Sequence, residues 1–102
     1  VSAARATDAT PSTDAAEALA RLRTEVERVD ARLIALIAER TRLAVEIGAA
    51  KRTLGHPTLD PVREAAVVRR AVELARAAGL ADEEGVRAIV WQLMALARRA
   101  QA

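Results

Sequence analysis

Arg40 stands where the residues around it call for an apolar side chain. From Leu22 the sequence runs Val26, Val29, Leu33, Leu36, Arg40, Leu43, Ile47, Ala50 and Leu54, in steps of three and four. That spacing is the seam of one long helix packed against other helices. An arginine in the seam puts a permanent charge where side chains lose their water, so an anion has to meet it there. A carboxylate from another helix would serve, and so would a bound ligand. Lys51 follows Arg40 by eleven residues, which at about 100° per residue returns to within about 20° of the same face, ~16 Å along the axis. Two long cationic side chains leaning together across that gap suit a small dianion with two separated oxygen groups. Arg23 lies seventeen residues before Arg40, roughly 25 Å away and about 100° around the helix. From its own chain it does not reach that site. It reaches a partner's site if two such helices cross antiparallel. Solvated surface charge is the bland alternative for both Arg23 and Lys51.

The rest of the composition limits the chemistry. The chain has no cysteine and one histidine, His56. A disulfide scaffold, a thiolate nucleophile, a Cys/His metal centre and a Ser-His-Asp triad are all disfavoured. No metal centre is expected from these residue types. Sixteen basic against fourteen acidic residues leave a net charge of only +2. With no long basic block and no aromatic stacking platform, nucleic acid is not expected as a partner. No apolar run approaches the ~20 residues of a membrane span. Absence of cysteine fits a reducing cytoplasm.

The elements that must hold these residues read as helices throughout. Trp91 is the one aromatic residue, and alternating β-formers are scarce. The Ala/Ser/Thr-rich residues 1–12 read as a disordered tail without the apolar block of a signal peptide. Asp14 and Glu17 resemble a capping box, so the first helix is expected to start there. Gly55 and Pro57 end it. It would be roughly 60 Å long, whereas a compact chain of about 100 residues has a radius of gyration near 13 Å. Its apolar stripe therefore outruns its own globule, and a second copy is the economical cover. Asp60-Pro61 caps a second helix that stops at Gly79, and Asp82 caps a third whose apolar face is Val86, Ile89, Val90, Leu93, Ala97 and Ala100. The fold class is all-α: three helices per chain, the first very long, with residues 13–102 forming one domain.

Leu22-Arg23, Val29-Asp30, Leu33, Leu36-Ile37-Ala38-Glu39-Arg40, Leu43-Ala44-Val45-Glu46-Ile47-Gly48 and Lys51, followed by Asp60, Arg63 and Glu64, resemble the all-helical class of chorismate mutases. One inserted residue before the third helix aligns Gln101 with that family's glutamine and puts Ala97 where a site serine often stands. The resemblance implies an intertwined homodimeric helical bundle with two equivalent sites. It implies the rearrangement of chorismate to prephenate, on the route to phenylalanine and tyrosine. It also implies roles. Arg40 and the partner copy's Arg23 grip the two carboxylates. Lys51 contacts a carboxylate and the ether oxygen, and Gln101 is the second donor to that oxygen. Glu64 accepts from the ring hydroxyl with the backbone near Asp60 assisting, and Arg63 either joins the carboxylate side or supports it from behind. Such a reaction needs no nucleophile, metal or proton transfer. Alternatives on the same scaffold are an isochorismate-pyruvate lyase and a 4-amino-4-deoxychorismate mutase. A third alternative is a non-catalytic helical dimer, or a weak mutase activated by a partner enzyme of the same pathway. Asp60 is also explained as a helix cap, Glu64 as a complement to the helix dipole, and Trp91 as core or dimer packing.

Overall fold

The structure, a computed structural model, describes residues 13–102. The tail expected over residues 1–12 lies outside the described residues. The elements are α1 (Ser2–Leu54), α2 (Pro61–Ala77) and α3 (Glu83–Gln101), and the described residues contain no strand. The expected start at Asp14 is not observed. Thr13 and Asp14 are both helical, so Asp14 is an interior residue of α1. A residue with a capping preference marks a boundary only where its own backbone leaves helical geometry.

Two compact units divide at residue 36. The first is a stretch of α1 alone. Among its described residues, 13–36, none is buried, and Leu22, Val26, Val29, Leu33, Ile34 and Leu36 are each at least half exposed.

The second unit, residues 37–102, holds the end of α1 with α2 and α3. Val72 and Ala75 of α2 meet Val86, Val90 and Met94 of α3, with Val67, Val68 and Ala71 partly buried beside them. The α3 line has a strict four-residue step, i±4 ridges being the commonest helix–helix contact surface. The apolar face expected from sequence is corrected here. Ile89 is 61% exposed, and Met94, not expected on that face, is buried. Trp91 is 48% exposed, so it is not a core residue of the protomer.

The ends of these helices are set by local chemistry. Gly55 has φ of 69° and Gly79 has φ of 81°, left-handed values that favour glycine. Around Gly55 the His56 amide donates to the Lys51 carbonyl at 2.9 Å and the Gly55 amide to the Arg52 carbonyl at 3.2 Å. Around Gly79 the Leu80 amide donates to the Ala75 carbonyl at 2.9 Å and the Gly79 amide to the Arg76 carbonyl at 3.0 Å. Both are Schellman closures, which satisfy carbonyls the helix leaves over. Asp60 caps α2 by accepting from the Arg63 amide at 3.1 Å, and Asp82 caps α3 by accepting from the Gly85 amide at 2.9 Å. Each cap contributes about 1 kcal/mol.

Candidate active site

The closures and caps fix where the polar side chains of the second unit emerge. Arg40 and Lys51 come from α1, Arg63 from the first turn of α2, and Gln101 from the last turn of α3. All four line one cavity of about 400 Å³, whose other walls are mostly apolar: Leu43, Ala44, Ile47, Val67 and Ala97. Pockets that hold small molecules run from about 300 to 1,000 Å³ and combine apolar walls with a few convergent polar groups. A neighbouring cavity of about 300 Å³ shares Arg40, Arg63 and Val67 and extends to Arg70 and Leu74.

Charge is uncompensated at this site. Among the described residues no carboxylate oxygen lies within salt-bridge distance of Arg40, Lys51 or Arg63; the ion pairs present there are Arg76–Glu83, Arg87–Glu83 and Arg98–Glu64. The carboxylate from another helix that Arg40 could have met is therefore not there among the described residues. Arg40 is half-buried, and its Nη1 donates to the Leu93 carbonyl at 3.4 Å. The Lys51 ammonium is tethered by donating to the Thr58 carbonyl at 2.9 Å, which leaves two of its three donors for another acceptor. Three like charges line one mostly apolar cavity and repel each other, Arg40 and Lys51 partly shielded from water and Arg63 exposed to it. An anion with two acceptor groups relieves that repulsion.

Gln101 adds a neutral amide. Its Oε1 is buried with no hydrogen-bond partner among the described residues, a state that costs free energy unless a ligand satisfies it. Rotating the amide by 180° exchanges its donor and acceptor ends without moving a carbon.

The remaining sequence candidates fall elsewhere. Asp60 is engaged as the α2 cap. Glu64 does not line the cavity; its Oε2 accepts from Arg98 Nη1 at 2.6 Å, across from α2 to α3. Sequence reasoning missed Arg98. The available signal was its position between Ala97 and Gln101, both assigned to the site face of α3. Arg23 belongs to the first unit and is exposed. Among the described residues no group of His, Cys, Asp and Glu side chains is arranged to hold a metal ion, and no helix is long and apolar enough to cross a membrane.

An all-α chain that gathers cations, unpaired among the described residues, and one amide over a small apolar cavity has the chemistry suited to a compact organic anion. Comparison with known proteins narrows that class. Residues 22–102 match the family described as chorismate mutase type II, and the chain belongs to this family of isomerases. It is 32% identical over 71 residues to a chorismate mutase of Methanocaldococcus jannaschii, which covers 70% of this chain and 72% of that one. It is also 41% identical over 59 residues to a bifunctional chorismate mutase/prephenate dehydratase of Escherichia coli K12; that match covers 58% of this chain but 15% of the longer protein. No solved structure matches.

Proposed function

We propose that residues 13–102 form a homodimeric chorismate mutase domain that rearranges chorismate to prephenate without a cofactor. The observation that carries this reading is the trio Arg40, Lys51 and Arg63, unpaired among the described residues and gathered with Gln101 around one cavity. Chorismate is a dianion with two carboxylates and an ether oxygen between them. In the rearrangement the ether C–O bond breaks as a new C–C bond forms, and all atoms are retained. The protein has to hold a compact, chair-like conformer and stabilise the negative charge that grows on the ether oxygen.

Arg40 and Arg63 serve the carboxylates by forked donation, for which guanidinium is suited. Lys51 and the Gln101 amide donate to the ether oxygen. Glu64, one oxygen of which Arg98 holds outside the cavity lining, accepts from the ring hydroxyl through its other oxygen once substrate draws its side chain to the cavity, and Asp60 keeps α2's first turn in place while its backbone assists. Ala97 supplies no hydroxyl, so the carboxylates rely on the cations.

The second copy enters through the first unit. Residues 13–36 bury nothing among the described side chains yet carry leucines and valines at seam spacing. An isolated helix of that kind gains little stability on its own, and a second α1 covers it. Arg23, on the same stretch, then serves the partner copy's cavity. The cysteine-free sequence accords with a cytoplasmic setting.

The test is purified protein incubated in parallel with chorismate, isochorismate and 4-amino-4-deoxychorismate, following substrate loss and product. Prephenate from chorismate alone is the expected result. Pyruvate release from isochorismate, or preferential turnover of the amino compound, would overturn it. Lys51→Ala should lower kcat by about 10²–10³, the usual loss for one donor aimed at developing charge, and by more than it weakens substrate binding.

A further inference from the structure

Gly48 lies in the interior of α1, where glycine is about 1 kcal/mol less favourable than alanine. It is buried, and a Cβ placed on it would stand 2.9 Å from Gln101 Cγ, 3.2 Å from Gln101 Cβ and 3.5 Å from Gln101 Cδ. The first of these is closer than carbon atoms pack. The Gln101 side chain therefore occupies the space that any other residue at position 48 would fill. One turn further along α1, Arg52 Nη1 donates to the Gln101 carbonyl at 3.4 Å. Two positions on one face of α1 thus hold both the stem and the backbone of a residue whose amide lines the cavity with its Oε1 buried and, among the described residues, unpartnered.

We propose that Gly48 is a positioning residue for the reaction: its missing side chain is the seat that fixes the Gln101 amide in the cavity, with Arg52 steadying the same turn. The proposal rests on the reading of Gln101 as a donor given above. A glycine retained only by tolerance is improved by alanine, which raises helix stability. A glycine that seats Gln101 gives way by pushing Cγ, and the amide with it, out of register. The two accounts differ in sign.

The experiment is a cycle of Gly48→Ala, Gln101→Ala and the double variant in the full chain. It reads kcat and KM for chorismate, thermal stability, and the side-chain amide signals in a ¹⁵N–¹H spectrum. The chain contains only Gln92 and Gln101 and no asparagine, so the amide region is simple. Gly48→Ala should lower kcat by roughly 10–100-fold, part of the loss expected for one misaimed donor, with KM little changed. It should move the Gln101 amide pair and leave Gln92 in place. In the double variant the losses should not multiply, because both changes disable one group. Parental kcat with an unmoved Gln101 amide overturns the proposal, as do losses that multiply. If Gly48→Ala folds poorly, the double variant, which removes the 2.9 Å contact with Cγ and leaves only the 3.2 Å contact with Cβ, must restore part of the lost stability; a double variant as unstable as the single one overturns the proposal too. If the parent leaves chorismate unchanged, the functional reading fails, and the amide shift still decides whether Gly48 seats Gln101.

Discussion

Residues 13–36 and 37–102 share the helix α1 and the same seam spacing, yet one stretch buries nothing among its described residues and the other carries a core and a cavity. Leu22, Val26 and Val29 follow the same rule of threes and fours as Leu43 and Ile47, and those two are also about half exposed; in the second unit α1 buries Ala44 and Gly48 beside them instead. Buried positions in the second unit are concentrated where α2 and α3 supply opposing side chains. Periodicity states which face of a helix seeks cover. It does not state what covers it, because that depends on atoms from another element or another chain. The charged residues divide the same way. The second unit gathers Arg40, Lys51 and Arg63 around one cavity, whereas Arg23 stands exposed in the first unit.

The largest effect expected from this contrast is on activity. Arg23→Ala in the first unit and Arg40→Ala in the second should each abolish most turnover. Mixing the two inactive variants under conditions of subunit exchange should restore part of it, since one of the two sites in a heterodimer then holds both arginines. Proven heterodimers without recovery would break the assignment of Arg23 to the partner copy's site.

Stability should separate the two units next. Met94→Ala, in the core, should cost about 2–5 kcal/mol at any protein concentration, the usual range for a buried methionine. Leu33→Ala, in the first unit, should act through association, so that its cost shows as a fall in melting temperature that deepens on dilution. Sedimentation of the parent at micromolar concentration should give twice the chain mass. A Leu33→Ala effect independent of concentration would mean that the first unit's apolar face is not covered by a second copy.

The smallest effect concerns Asp60, whose side chain is an α2 cap in the protomer. Asp60→Ala should cost about 1 kcal/mol in denaturant unfolding, and Asp60→Ser, which retains capping, should recover most of that. If Asp60→Ser restores stability but leaves kcat/KM depressed, the carboxylate contacts substrate directly as well as capping the helix.

Much of this protein was set by its sequence through local physics. The all-α class, the caps at Asp60 and Asp82, and the stops at Gly55 and Gly79 follow from interactions within a few residues, and the structure has all of them. The choice of Arg40 and Lys51 as one cationic pair was legible because helical geometry alone relates positions 40 and 51. Asp14 shows the limit even of local signals, since a residue suited to capping also sits inside a helix. What the tertiary structure decided lies between elements distant in sequence. The pairing of Arg98 with Glu64 across α3 and α2 depends on how two helices meet. So do the exclusion of Ile89 in favour of Met94 and the seat that Gly48 makes for Gln101. Gly48 read from sequence is only a weak point in a helix. Its consequence emerges at 2.9 Å from a side chain fifty-three positions away, a distance set by helix packing and absent from any periodicity.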